Sequence, residues 1–470
     1  MDQNRLNELQ SFFSPRHIAV IGATPNNQWF GNIFANAMES GFTGKLYPVN
    51  PKLDELYGFK AYRSIGELPE GLIDFAVLIV KSGIVLKTVM ELRNRGIKHI
   101  LVISSGFSEV GQEGREKQEE LKTYCQENDV IMMGPNCLGF LNLARDTSVF
   151  CGRGVEGKLR AGPVGIVGQS GATTELIMTK MLAKTPGVSL CATTGNEARL
   201  TVEDCLEYFI HDEHTRIITG FIEQFRDTGK LRALALQALE KRIPIIFLKV
   251  GRSEKARKAA QSHTGALAGN DKILDGFFAQ TGIIRVDTVE EMVDTAAIFS
   301  RCELPRGKGL GICTFSGGLC GLYADLCESE GISLPHLSKK TEARLREILP
   351  EFAMPDNPLD VTGSGFLGGM KEMVRAMLED ENIDIVAPVC IPPQSPEDPF
   401  AHLINNSFLD FVREGKKPIT PVVFKEVSEY AREYFREKEV YYIEHPVYGF
   451  KALSHFIHYA AFLRKRGYMD

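Results

Sequence analysis

From residue 17 onward, short apolar runs alternate with longer amphipathic stretches. "HIAVIGA", "KLYPVN", "DFAVLIV", "HILVIS" and "VIMMGPN" are separated by segments such as 83–96, whose apolar positions recur at helical spacing. The pattern predicts βαβ units. Runs this apolar suit strands covered on both faces, and so mainly parallel sheets with helices on each side. The first block closes near "GPNCLGFLN", residues 134–142. A second begins at "GPVGIVGQSGATTE" and continues through "VSLCATTGNE", "RIITGFIEQ", "IPIIFLKVG" and "GIIRV" to the connector "ELPRGKG". A third restarts with "GICTFSGG" at 311–318, which echoes "GIVGQSGA" at 165–172. One strand-loop-helix unit is used twice. "NPLDVTG", "IDIVAPVCI" and "ITPVVFKEV" supply further strands and loops, so the predicted division is 1–143, 144–302 and 303–470.

Length agrees with that division, since 470 residues at about 150 per domain suggests roughly three domains. Hydrophobic residues at 44% and charged residues at 24% exclude a disordered or fibrous chain. A formal charge of −6 and a pI near 6.0 argue against nucleic acid as a partner, so any anionic ligand must be held by a local pocket. "MDQNRLNELQSFF" does not read as a signal peptide, and runs such as "FAVLIV" are far short of the roughly 20 residues of a membrane-spanning helix. A cytoplasmic protein with no membrane partner is expected. Ten cysteines without a C-x-x-C pair predict reduced, structural thiols, and Cys313, Cys320 and Cys327 recur at a spacing that suits one buried helical face. His211 and His214 have a possible ligand spacing, but no further ligand accompanies them and no metal is predicted.

The loops after the apolar runs carry the candidate chemistry. "IAVIG" runs into "ATPNNQWFGN", where α/β folds place ligand loops, yet G-x-G-x-x-G is absent. At the end of the second run, Asn50 and Lys52 stand where NAD-binding chains place an acidic ribose ligand, and a lysine suits a phosphorylated ribose, as in coenzyme A or NADP. A solvated loop lysine would look the same. Ser170 and Gly171 at a probable helix start offer backbone N–H groups to phosphate, although a tight strand-to-helix turn has the same sequence. His263 is flanked by Ala259, Ala260, Ser262, Thr264, Gly265 and Ala266, which leaves the imidazole as the one bulky group of its segment. A phosphorylated imidazole needs a carboxylate partner, and Glu223 stands just past "IITGFI", although a surface histidine and a solvent-facing loop glutamate would read the same.

Taken in order, "YPVNPK", "ISSGF" followed by E-x-G-x-E-G, "GPNCLG", "QSGA", "LKVGRSEKARKAAQSHTGALAGND", "GIIRVDTVEEM" and "NPLDVTG" resemble the alpha subunit of ADP-forming acyl-CoA synthetases, within the succinyl-CoA synthetase superfamily. The resemblance covers nearly the whole chain. It implies a Rossmann-like CoA-binding domain followed by two flavodoxin-like domains. It also implies an acid–thiol ligase in which acyl-CoA and phosphate give an acyl phosphate and CoA, after which a histidine carries the phosphoryl group to ADP. By motif, His263 is the phosphorylated residue and Glu223 its carboxylate partner. Ser170, Gly171 and Ala172 match the phosphate-binding helix start, and Gly22, Ala23, Thr24, Lys52, Ile103, Ser104 and Ser105 fall on the CoA-contacting loops.

Three departures concern the acyl group: Trp29 in the first loop, "GQSGATTE" in place of the more usual "SQSGALG", and Leu319 after the paired glycines. Acetate, branched, aryl and hydroxy acids all stay open. No stretch resembles an ATP-grasp domain, so ADP or ATP with Mg is expected on a separate beta subunit, in a heterotetramer. Two alternatives use the same fold: an acyl- or carbamoyl-transferring relative, and a non-catalytic CoA-binding protein.

Overall fold

The computed structural model describes residues 3–153, 159–256, 271–362 and 369–469. The described chain forms two compact units, one of residues 1–183 and 187–287, the other of 184–186 and 288–470.

The first unit holds two large sheets and a small antiparallel pair of Glu55–Leu56 with Phe59–Lys60. Five parallel strands, β1 (His17–Ile21), β2 (Lys45–Val49), β3 (Phe75–Leu78), β4 (His99–Val102) and β5 (Ile131–Met133), lie in the order β2-β1-β3-β4-β5. Each grows from one of the apolar runs, and β3 is buried at all four positions, as strands covered on both faces require. Seven strands make the second sheet: β6 (Gly139–Asn142), β7 (Thr147–Ser148), β8 (Val164–Gly168), β9 (Val188–Thr193), β10 (Ile217–Ile222), β11 (Ile245–Lys249) and β12 (Ile284–Val286). Their order is β12-β11-β10-β8-β9-β6-β7, parallel except for the antiparallel pairings of β6 with β9 and of β7 with β6. The run "GFLN", read as the close of the first block, therefore pairs in the second sheet.

Aromatic side chains join the two sheets into one core. Phe12 meets Phe75 edge to face at 5.0 Å, Phe75 meets Phe140 at 5.8 Å, and Phe13 packs between Phe140 and Tyr208. All five are buried, so this cluster alone accounts for several kcal/mol of apolar burial at about 1.5–3 kcal/mol per side chain.

The second unit has four parallel strands, β13 (Leu310–Thr314), β14 (Leu359–Asp360), β15 (Ile385–Cys390) and β16 (Val422–Val423), in the order β14-β13-β15-β16. Within it Lys184 pairs with the buried Asp294, and His455 bonds Glu291 at 2.8 Å. All ten cysteines are unpaired. Cys313 lies on β13, whereas Cys320 and Cys327 lie on the helix Gly317–Ser329, so the sevenfold spacing crosses a strand-to-helix boundary and is no single helical face. Among the described residues no helix is long and apolar enough to cross a membrane.

Candidate functional site

Strand order fixes where ligands can lie. In the five-stranded sheet the chain goes from β1 to one side and returns to the other, so the crevice beyond β1 and β3 is a topological switch point. Gly22 follows β1 at φ +85°, and a Cβ there would stand 2.6 Å from the Ile79 carbonyl oxygen, so only glycine lets the two loops approach. Its N–H donates to Val49, while the Asn50 side chain donates to the Ala23 carbonyl at 2.7 Å and accepts from the Lys52 N–H at 2.8 Å.

Ala23, Ile103 and Ser104 are buried; Thr24 is half-buried, and Lys52 and Ser105 are exposed. The Ser104 hydroxyl accepts from the Val80 N–H at 3.0 Å, which ties the loop after β4 to the loop after β3. Of the seven residues expected to contact CoA, three therefore shape the crevice from below. Lys52 and Ser105 present polar groups at its mouth.

The seven-stranded sheet has its own switch point, between β8 and β10. Ser170 follows β8 and Glu223 follows β10, so residues 53 apart in sequence stand on the two sides of one crevice. Helix α1 (Gly171–Lys184) begins immediately after Ser170, whose carbonyl accepts the Thr174 N–H at 3.0 Å and the Thr174 hydroxyl at 2.6 Å. The amides of Gly171, Ala172 and Thr173 precede that first helical bond, and the positive end of the helix dipole lies with them. At Gly171 a Cβ would come 2.6 Å from the branch carbon of Leu138. The Leu138 N–H donates to the Thr193 hydroxyl, so a side chain at 171 would have to displace the Leu138 side chain from a tethered backbone.

Gln169 joins the two sides. Its amide oxygen accepts from the N–H groups of both Glu223 (2.7 Å) and Gln224 (3.0 Å), and its amide nitrogen donates to the Gln224 carbonyl at 2.8 Å. With its own amide oxygen turned toward Arg226, Gln224 accepts from that guanidinium at 2.6 and 2.8 Å. Arg226 also donates to Glu197 at 2.9 Å and to the Asn196 carbonyl at 3.0 Å. Burial pushes the Glu197 carboxyl up to about 7, against the opposing pull of Arg226.

Asn196 donates to Glu109 at 2.6 Å, and Glu109 accepts the Gly106 N–H just past Ser105. Burial acts against Glu109, yet the bonds from Asn196 and Gly106 hold its carboxyl below the usual range. Beyond β11, burial and then the Arg285 cation lower Lys249, while Asp271 and Glu223 act the other way.

Ser170, Gly171, Ala172 and Glu223 are thus brought together. His263 lies outside the described residues, as do Gly265 and Gly269. Gln169, Glu197, Arg226 and Lys249 were not singled out in the sequence; only the "Q" of "GQSGA" and the "NE" of "TTGNE" hinted at them. His211 closes a helix by bonding the Glu207 carbonyl, and among the described residues no metal-binding cluster forms.

Residues 16–142 match the CoA binding domain family, and residues 161–299 match the succinyl-CoA ligase like flavodoxin domain. The chain is 33% identical to the alpha subunit of acetate–CoA ligase (ADP-forming) II of Pyrococcus furiosus, over 93% of this chain and 95% of that one. It is 36% identical to a trans-feruloyl-CoA synthase from an unidentified prokaryote, over 90% of this chain but 60% of that protein. Measured against the feruloyl-CoA synthase, the chain spans about three fifths of the length. Among solved structures, the dinucleotide-forming acetyl-coenzyme A synthetase 1 of Ca. Korarchaeum cryptofilum, in complex with phosphate and ADP, superposes with a TM-score of 0.85. That pair is 29% identical, with 98% of each chain covered.

Proposed function

Because the chain belongs to the family of ADP-forming acetate–CoA ligase alpha subunits, we propose that it is the CoA- and phosphate-handling part of an ADP-forming acyl-CoA synthetase. An oxygen of inorganic phosphate attacks the thioester carbonyl, the C–S bond breaks, and CoA leaves as thiolate that takes up a proton. A ring nitrogen of His263 then attacks phosphorus, and the P–O bond to the acyl group breaks to release the carboxylate. A β-phosphate oxygen of ADP finally takes the phosphoryl group from histidine as the N–P bond breaks.

CoA lies along Gly22, Ala23, Thr24, Lys52, Ile103, Ser104 and Ser105, with the lysine on a phosphate of the cofactor. Phosphate lies on the amides of Gly171 and Ala172 beside Ser170, where the helix start stabilises the transferring charge. Glu223 orients the His263 ring and balances the cation formed on phosphorylation. ADP and Mg are bound by an ATP-grasp beta subunit, in a heterotetramer. The unpaired cysteines fit a cytoplasmic setting.

The observation that carries this reading is the pairing, across one switch point, of an open helix start with a carboxylate. Its test is His263→Asn, assayed with acetyl-, hydroxybutyryl- and feruloyl-CoA, radioactive phosphate, ADP and the ATP-grasp subunit. The variant is expected to lose ATP formation and acid-labile labelling while keeping its fold and CoA binding. Full activity in the variant, or phosphate located on another residue by mass spectrometry at alkaline pH, overturns the reading.

A further inference from the structure

Three backbone polar groups of the Glu223–Gln224 turn are satisfied by a single buried side chain, that of Gln169. Gln169 is also the residue next to Ser170, so the same short segment that starts the phosphate-binding helix sets the main chain of the carboxylate opposite. Arg226 holds the turn a second time, through the Gln224 side chain, and is itself anchored on Glu197 and the Asn196 carbonyl. None of these bonds uses the Glu223 carboxylate. They fix where its side chain starts from.

We infer that Gln169, supported by Arg226, is a positioning residue for phosphoryl transfer: it fixes the Glu223 backbone at a set place relative to the Ser170–Gly171 helix start. The inference rests on the phosphohistidine reading and assigns a residue to it that acts only through Glu223. A carboxylate that must meet an imidazole at hydrogen-bond distance tolerates little error, because about 1 Å of misplacement costs on the order of 100-fold in rate. Gln169 reaches both amides because parallel β8 and β10 place Gly168 opposite Phe221, with the Gln169 N–H bonded to the Phe221 carbonyl. The turn is thus tied to the segment that starts the helix through Gln169, and to Glu197 through Gln224 and Arg226.

The test is a double-mutant cycle read as the rate of acid-labile labelling of the full chain from radioactive phosphate and the best acyl-CoA of the panel. Gln169→Met removes all three bonds at similar volume. It is expected to slow labelling on the order of 10- to 100-fold with the KM for acyl-CoA little changed. Gln169→Glu keeps an acceptor for both amides and should recover part of the rate. In a Glu223→Gln background, Gln169→Met should add less than about twofold, because a residue that acts through Glu223 has nothing left to position.

Equal losses from Gln169→Met in both backgrounds, or no loss in either, overturn the positioning role. Should Gln169→Met fail to fold by circular dichroism, Arg226→Met takes its place in the cycle with the same criterion. Failure of Glu223→Gln itself to slow labelling overturns the transfer reading and this inference with it. Loss there with additive Gln169 effects overturns the inference alone.

Discussion

The two loops that echo each other in sequence, "GQSGA" and "TFSGG", start their helices beside different side chains. After β8, the start of α1 meets neutral Gln169, whose amide is spent on the turn across the crevice, and the helix amides at Gly171 and Ala172 face that crevice. After β13, the helix Gly317–Ser329 starts beside a carboxylate: Asp360 Oδ2 stands 3.3 Å from where a Cβ of Gly317 would be, and Asp360 Oδ1 accepts the Thr362 N–H at 2.9 Å. A carboxylate at a helix start is stabilising and repels a second anion. The same strand-loop-helix unit therefore leaves its helix start to a crevice in one place, where the proposed phosphate site lies, and sets a carboxylate beside it in the other. The difference comes from a residue of the neighbouring strand, Asp360 on β14.

The strongest way to break this comparison is Gly171→Val, since its Cβ would collide with Leu138 and displace the helix start. Phosphoryl labelling should fall on the order of 100-fold or more, the scale of a lost oxyanion donor. Retention of the wild-type rate would show that phosphate is not held there. Lys52→Glu should weaken CoA binding roughly tenfold, about 1.4 kcal/mol by calorimetry, and leave the thermal unfolding of the second unit as it was. Unchanged affinity would remove Lys52 from the CoA site.

Asp360→Asn should destabilise the second unit by about 0.3–1 kcal/mol in urea unfolding at low ionic strength, and by less in high salt, with turnover unaffected. A loss of turnover would mean that the second loop takes part in the reaction after all. The smallest effect on labelling, less than about twofold, is expected from Gly317→Ala, whose Cβ would press on Asp360 at 3.3 Å and require that carboxylate to give slightly.

A pH signature lies close to the first loop, at Glu197, which is joined to it through Arg226 and Gln224. Glu197 titrates near 7 in the folded chain against an ordinary 4.5, so the folded state holds its proton more tightly. The stability that this provides is full below about pH 4.5 and is lost as the pH rises through 7. Comparing unfolding of the wild type and Glu197→Gln between pH 4.5 and 8 should show the wild type losing stability relative to the variant as the pH rises. Parallel pH dependence in the two proteins would mean that Glu197 is ionised throughout.

Much of the architecture was written in local pattern. Each apolar run became a strand because a stretch such as "FAVLIV" can satisfy its burial only between two helical layers. The loop after each strand carried its glycines and its Ser-Gly pair in plain view, and with them the helix start at Gly171 and the close approach at Gly22. The place of Glu223 one residue beyond an apolar strand was legible too, but a loop glutamate reads the same, and its proposed role came only from the family resemblance.

Pairing across the sheets was decided only in three dimensions. "GFLN" reads as the end of the first block, yet it adds antiparallel to β9, because Phe140 is buried in the core that the two sheets share. The bond from Gln169 to Glu223 spans 54 residues, and that from Asn196 to Glu109 spans 87. Asp360 reaches Gly317 only because β14 lies beside β13. Periodicity reports which face of an element is apolar, a property of neighbours a few residues apart. Which polar side chain meets which backbone amide depends on strand order and on the side to which each crossover returns, and those are set when whole elements compete to bury their apolar faces together.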